Sequence, residues 1–151
     1  MIFLRFFILL FVVACGNDDP EVEIDPLFRD GVRLEYSVGD EHDFGNVSVG
    51  STETIIITIT NNGDTAAGSM GESDGAGKIE PPFDFAGGSY PGTNGTCTIT
   101  LGSGQSCTVE FEFSPTSTGN FLNDPGITYY DSSDIDPVDL VITLDLKGTG
   151  I

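Results

Sequence analysis

Hydrophobic and polar residues alternate with a period of two in four stretches of the chain, which is the pattern of β-strands that bury one face. The stretches are VRLEYSV (residues 32–38), TETIIITIT (52–60), TVEFEF (108–113) and DLVITLDLK (139–147). No stretch of useful length has the 3.6-residue period of a helix. Turn-forming residues separate the strands, as in the cluster NNGD at 61–64. The pattern predicts an all-β protein, an immunoglobulin-like antiparallel β-sandwich with a single domain.

The alternation also predicts which side chains form the core. Glu110 and Glu112 lie on the opposite face of their strand and are expected to face water, together with Thr108. The residues expected inside are Val32, Leu34, Tyr36, Val38, Ile55, Ile57, Ile59, Val109, Phe111, Phe113, Leu140, Ile142, Leu144 and Leu146.

Residues 65–82, which begin at Thr65 and end at Pro82, show no period and are rich in small residues and glycine. We interpret them as one long surface loop. Loops of this length often carry function. This loop and the aromatic stretch FDFAGGSYPG that follows at 83–92 are the predicted contact surface. The alternative is that the loop is an insertion without a function.

The amino terminus has the pattern of an export signal. Arg5 precedes an apolar run over residues 6–14, which as a helix would span only about 14 Å and is too short to cross a bilayer. Residues 1–14 are therefore predicted to be a signal peptide. The sequence VVAC at 12–15 resembles the lipobox of bacterial lipoproteins, and this resemblance implies a lipid on Cys15. Residues 15–29 then form an acidic tether. The alternative is a secretory signal that is cleaved elsewhere.

Cys97 and Cys107 lie ten residues apart, and Gly102 is the midpoint between them. A hairpin that turns there places the two cysteines opposite each other on neighbouring strands, within disulfide range. The spacing does not fit a CxxC redox motif or a four-ligand zinc site, and His42 is the one histidine available to a thiol nucleophile. We predict a structural disulfide. With Cys15 lipidated, the remaining two cysteines pair in an oxidising compartment.

The net charge of the chain argues against some classes of binding partner. The chain has 24 acidic and five basic side chains, a formal net charge of −19. Removal of residues 1–14 takes away Arg5 and leaves 24 acidic and four basic groups, a net charge of −20. Such a surface repels nucleic acid and anionic lipid headgroups. It suits a solvated extracytoplasmic surface, a cation-rich environment or a basic partner.

Several motifs in order resemble the bacterial choice-of-anchor D domains, which belong to the ASH (Hydin and abnormal-spindle) branch of immunoglobulin-like domains. They are DFGNVSVG at 43–50, TNNG at 60–63, the cysteine segment at 97–107 with the strand after it, and LDLKGTG at 144–150. The resemblance covers residues 30–151. It implies an Ig-like fold and a binding, spacer or adhesion role, with no catalytic residues.

The sequence offers little catalytic chemistry. GGSYP at 87–91 lacks the second glycine of a GxSxG elbow, and no phosphate- or dinucleotide-binding fingerprint is present, so we do not expect an enzyme. Acidic loops suggest calcium, because carboxylates on irregular loops provide oxygen ligands. Solvated acidic loops are the alternative. The calcium candidates are Asp131, Asp134, Asp136 and Asp139, and a second acidic group is formed by Asp40, Glu41 and Asp43.

The sequence therefore predicts a lipoprotein of the bacterial cell envelope, periplasmic or on the cell surface, that carries an Ig-like binding or adhesion module. Its expected contacts are the membrane, through the lipid, and an unknown protein or glycan, but not nucleic acid. The alternatives are a structural subunit of an envelope complex and a calcium-dependent binding module.

Overall fold

A computed structural model describes residues 31–75, 77–135 and 138–151, and every regular element in these ranges is a β-strand. The signal peptide, the tether with Cys15, and Asp136 lie outside the described residues. No helix in the described ranges is both long and apolar enough to span a membrane. The strands are β1 (Leu34–Tyr36), β2 (Glu41–Val47), β3 (Glu53–Asn61), β4 (Ala67–Glu72), β5 (Phe83–Phe85), β6 (Thr100–Leu101), β7 (Ser106–Phe113), β8 (Gly119–Asn123), β9 (Gly126–Asp131), β10 (Leu140–Thr143) and β11 (Asp145–Gly150).

Two four-stranded antiparallel sheets make up most of the fold. The first has the order β1-β3-β7-β5, and the second has the order β10-β9-β4-β6. The predicted all-β, immunoglobulin-like sandwich with a single domain is confirmed. The long central pair β3 and β7 is in register from Glu53↔Phe113 to Thr60↔Ser106, as expected for two strands with strong alternation.

The third sheet has the order β2-β11-β8 and contains a parallel pair. β11 runs parallel to β2 and antiparallel to β8. This arrangement places the opening motif of the resemblance (43–50) beside its closing motif (144–150). Gly148 is required there, because a Cβ at this position would lie 2.5 Å from the Phe113 ring. Alternation along single strands predicts neither the parallel pair nor this close approach.

Aromatic and branched side chains from all three sheets form one core. Phe83 stacks on Phe113 and Phe85 on Phe111, with ring centroids 4.8 and 5.0 Å apart, across the β5–β7 ladder. Phe44 of β2 contacts Phe113 at 5.7 Å and so ties the third sheet to the first. The predicted inner faces are largely confirmed. The predicted core residues found buried are Leu34, Tyr36, Ile57, Ile59, Val109, Phe111, Phe113, Leu144 and Leu146.

The inner-face prediction fails at the ends of two strands. Val38 is 40% exposed because β1 ends at Tyr36 and the chain turns there. The stretch 139–147 is not one strand: β10 pairs with β9 and β11 pairs with β2 and β8, so the chain passes from one sheet to another at Leu144. Leu144 and Leu146 are buried, whereas Leu140 and Ile142 are only half-buried.

The prediction that residues 65–82 form one surface loop is wrong for the first part of the segment. Ala67–Glu72 is strand β4, which lies between β9 and β6 in the second sheet, and Ala67 and Met70 are buried. Small residues are needed here because the sheet packs closely. A Cβ on Gly68 would lie 2.6 Å from the Tyr130 ring. Alternation is also broken, because the register with β9 shifts between Gly68 and Gly71.

Glu110 does not face water as predicted, because a connecting segment covers it. Its side chain is only 5% exposed. The carboxylate accepts hydrogen bonds from the backbone N–H of Asn94 at 2.9 Å and from the Asn94 amide at 3.1 Å. The Glu110 backbone bonds to Ala86 and Pro91 of the same covering segment. Glu110 therefore holds the β5–β6 connection against the outer face of the first sheet.

Candidate binding surfaces

The disulfide between Cys97 and Cys107 is present, with the Cα atoms 4.8 Å apart, but the predicted hairpin is not. β6 pairs with β4 in the second sheet, whereas β7 belongs to the first. Cys97 precedes β6 and donates its backbone N–H to the Thr108 carbonyl. The disulfide therefore fixes the chain at the point where it leaves the first sheet for the second.

Asn61 is a buried polar side chain that joins four parts of the chain. Its amide nitrogen donates to the carbonyls of Thr65 at 2.8 Å and Leu101 at 3.0 Å. Its amide oxygen accepts from the backbone N–H of Gly63 at 3.0 Å and of Arg33 at 3.4 Å. Asn61 is fully buried, and its bonds to Thr65, Leu101 and Gly63 are shielded from water. The role of the TNNG motif is thus to fix the frame that holds the loops.

The calcium candidates do not converge within the described residues. No group of three or more His, Cys, Asp or Glu side chains there is arranged to hold a metal. Asp131 instead accepts hydrogen bonds from the protein: Val32 N–H and the Thr65 hydroxyl reach one carboxylate oxygen, and the N–H and hydroxyl of Ser133 reach the other. Although burial acts in the opposite direction, these bonds lower the pKa of Asp131. Asp131 ties the start of the domain to β9, and calcium binding stays a prediction.

The acidic residues of β2, Glu41 and Asp43, lie on one face of the strand, and His42 lies on the other. His42 packs edge-on against Phe44, with ring centroids 4.8 Å apart, and burial lowers its pKa while Asp43 opposes this shift. Asp43 accepts the backbone N–H of Gly45, and Glu41 forms an ion pair with Lys147. These contacts give each side chain a structural partner. Within the described residues, no hydrogen bond joins His42 to a serine or cysteine hydroxyl or thiol that would act as a nucleophile.

Part of the predicted contact surface belongs to the core. Phe83, Phe85 and Ala86 of the aromatic stretch are buried. The ring of Tyr90 packs edge-on against Phe85 at 5.6 Å, and burial raises the pKa of Tyr90 to about 12. Within 65–82, Ser73 and Ile79 are also buried. A binding role for this segment is an untested prediction. Its exposed described residues are Ser69, Glu72, Asp74, Gly75, Lys78, Glu80 and Pro81.

The outer face of the third sheet has a groove of about 350 Å³ that the sequence did not predict. Lys147 lies in its centre, bonded to Glu41, and this bond raises the pKa of the lysine. Asn120 accepts a hydrogen bond from the Thr149 hydroxyl at 3.0 Å, and Leu122 is 73% exposed at the rim. Alternation does not predict β8, because GNFLN is short and has two adjacent apolar residues.

The sequence matches the profile of a known domain family. The profile of the HYDIN/CFA65/VesB-like Ig-like domain matches residues 33–145, which is most of the described region. No curated protein sequence matches the chain significantly.

Two solved structures show the same fold at low identity. The Vibrio cholerae VesB protease is 15% identical with a TM-score of 0.57, and the match covers 80% of this chain but only 32% of that protein. The human ASH/PapD-like domain of CEP192 (PapD-like domain 7) is 14% identical, also with a TM-score of 0.57, over 97% of this chain and 98% of that domain. At these identities the likeness concerns the fold. The match to VesB spans about a third of its length.

Proposed function

The chain belongs to the HYDIN/CFA65/VesB-like Ig-like domain family, and we propose that it is a non-catalytic binding module held on the outer side of a bacterial membrane by a lipid on Cys15. The observation that carries the proposal is the Ig-like sandwich itself. It offers rigid sheets and exposed edges for recognition, and the described residues hold no group of three or more side chains arranged to bind a metal.

Cysteine use supports the extracytoplasmic location. Cys97 and Cys107 are joined, so Cys15 is the single cysteine left over, and it follows an apolar run of signal-peptide length. Disulfides persist in oxidising compartments and are rare in the cytosol. Lipid chains contribute about 0.8 kcal/mol per buried CH₂, and two or more give a stable anchor. The acidic segment 15–29 would then separate the domain from the bilayer.

The module takes one of two roles. As an adhesion or recognition module it binds a protein or glycan outside its own complex. As a structural subunit it is a fixed part of an envelope assembly. The strong negative charge disfavours nucleic acid as the partner in either role.

Anchoring is tested by growing the bacterium with an alkyne-bearing fatty acid and comparing the wild-type chain with Cys15→Ser. The proposal predicts label on the wild-type chain and none on the variant, with the variant released from membranes. Equal labelling of both chains, or none on either, would contradict lipidation at Cys15.

Binding is tested by cross-linking the full chain in intact cells and identifying what co-purifies. An envelope protein that co-purifies in stoichiometric amount supports the structural-subunit role. A protein or glycan that co-purifies in smaller amount and is displaced by an added competitor supports the recognition role. Absence of any specific partner, or turnover of a hydrolase substrate that His42→Ala abolishes, would overturn the proposal.

A further inference from the structure

The hydrogen-bond directions along β11 show which of its residues face β8. Asp145 donates its backbone N–H to the Asp40 carbonyl at 2.8 Å, and Ile151 donates to the Val47 carbonyl at 3.0 Å. Alternate residues of a strand direct their main-chain groups to opposite sides. The odd-numbered residues of β11 therefore bond towards β2, and the even-numbered residues bond towards β8.

The register then identifies the free main-chain groups of β8. The even-numbered residues of β11 pair with Gly119, Phe121 and Asn123. Asn120 and Leu122 consequently direct their backbone N–H and C=O groups away from β11. β8 pairs with β11 alone among the described strands, so these groups lie at an open sheet edge.

This edge lacks the features by which proteins usually block strand addition. β8 has no charged side chain and no proline, and Leu122 is 73% exposed. The other edge strands are better protected. β1, β2 and β5 carry acidic residues, and β6 is only two residues long. On β10, the Ile142 carbonyl already accepts a hydrogen bond from the Tyr36 hydroxyl. Among the described residues, those that cover β8 bond to its Asn123 end: the Asn123 side chain is hydrogen-bonded to the backbone of Lys78 and Glu80.

Charge indicates what kind of strand this edge accepts. Three acidic residues lie near the Asn123 end. Asp124 follows Asn123 in the chain, Asp145 precedes the Leu146 that pairs with Asn123, and Glu80 donates its backbone N–H to the Asn123 side chain. Lys78, whose backbone carbonyl accepts a hydrogen bond from the Asn123 amide, is the basic residue at this end. The Gly119 end is preceded by uncharged residues, SPTST at 114–118. The described residues contain 17 acidic and three basic side chains, so the surrounding field attracts cations.

We infer that the free edge of β8 binds an extended segment of a basic partner protein by strand addition. The partner strand bonds to the main chain of Asn120 and Leu122 and places an apolar side chain beside Leu122. Its lysine or arginine residues lie at the Asn123 end. This inference rests on the proposed function as a binding module and specifies its surface and partner.

The probes are synthetic peptides that alternate valine and threonine and carry two lysines at either the amino or the carboxyl end. Matched peptides carry two glutamates instead. They are titrated into the ¹⁵N-labelled full chain in detergent micelles. We expect one lysine peptide to bind and to shift the amide signals of Asn120 and Leu122. Its affinity falls when NaCl is raised from about 0.05 to about 0.5 M, because salt screens the attraction.

Leu122→Pro removes the outward N–H without removing a bond to β11, and edge strands accept proline at such positions. We expect it to weaken peptide binding by about tenfold, because one main-chain hydrogen bond and part of the apolar contact of Leu122 are lost. Leu122→Thr keeps the N–H and is the matched control, with a loss of about threefold or less from the smaller apolar contact. Unchanged amide spectra away from β8 establish that both variants are folded.

Three results would overturn the inference. The lysine peptide binds equally to Leu122→Pro and wild type, or the amide signals of Asn120 and Leu122 show no saturable shift. In the third, a second copy of the chain occupies the edge, and this self-association strengthens with salt. Cross-linking in cells separates this failure from that of the proposed function. If the Leu122→Pro variant still binds its partner in cells, the protein is a binding module that uses a surface other than the β8 edge.

Discussion

At the scale of single residues, Asn61 contributes most to the frame. Replacing it with alanine removes four hydrogen bonds and leaves the buried carbonyls of Thr65 and Leu101 without their donor. Each unsatisfied buried group costs about 1–3 kcal/mol. We predict that Asn61→Ala lowers the free energy of unfolding by about 2–4 kcal/mol, measured by urea denaturation.

The neighbouring asparagine provides the control. Asn62 is exposed and donates its amide to Glu35 at 2.7 Å. Asn62→Ala should change stability by about 0.5 kcal/mol or less, as is usual for surface sites. Equal losses for the two variants would show that burial of the Asn61 network is not what stabilises the frame.

His42 should make the fold sensitive to mild acid. Burial lowers its pKa in the folded state, so the unfolded chain takes up a proton more readily. Stability is therefore fully retained above the unfolded pKa of about 6.5 and falls as pH drops below it. We predict that the melting temperature of the wild type falls more between about pH 7.5 and pH 5.5 than that of His42→Gln. Parallel melting curves for the two proteins would contradict this.

At the scale of elements, prediction from sequence succeeds where side chains are large and alternate. β3 and β7 were predicted from their isoleucine and phenylalanine rows because only one face of such strands is compatible with water. β4 was missed because its residues are small, which the close Tyr130 ring requires. The pairing of β6 with β4 and the change of sheet at Leu144 depend on contacts between distant residues, and local alternation does not encode them.

The same limit applies to the binding surfaces. The disulfide was predicted correctly from cysteine spacing and parity, although the hairpin that suggested it is absent. The free edge of β8 is not predicted from the sequence, because local alternation does not show which strands pair and which side of a strand stays unpaired. Alternation along β7 predicts that the Glu110 side chain is exposed to solvent. The structure shows instead that the β5–β6 connection covers it.

The disulfide should stabilise the crossing between the first and second sheets. Cys97 and Cys107 are ten residues apart, and closing a loop of this size removes about 3 kcal/mol of unfolded-state entropy in the chain-entropy model. We predict that Cys97→Ala with Cys107→Ala lowers the free energy of unfolding by about 2–4 kcal/mol. Cys15→Ala is the matched control and should leave it unchanged. A double variant as stable as the control would show that the disulfide is dispensable to the frame.

At the scale of the whole molecule, negative charge is the dominant property. With 24 acidic and five basic side chains the folded chain repels itself, and salt screens this repulsion. We predict that the melting temperature rises by several degrees, roughly 3–8 °C for about 1 kcal/mol, as NaCl increases from low concentration to about 0.5 M. Potassium glutamate should act similarly, since screening is not ion-specific. A flat or falling response would show that the surface charges are locally compensated.

The central claim is that an Ig-like binding module, closed by a disulfide, is held outside the cell membrane by a lipid. Intact-mass spectrometry of the protein purified from its own cells tests this most directly. The account predicts a chain that starts at an acylated Cys15 and has Cys97 joined to Cys107. A chain that retains residues 1–14, or one with free thiols at Cys97 and Cys107, would contradict it.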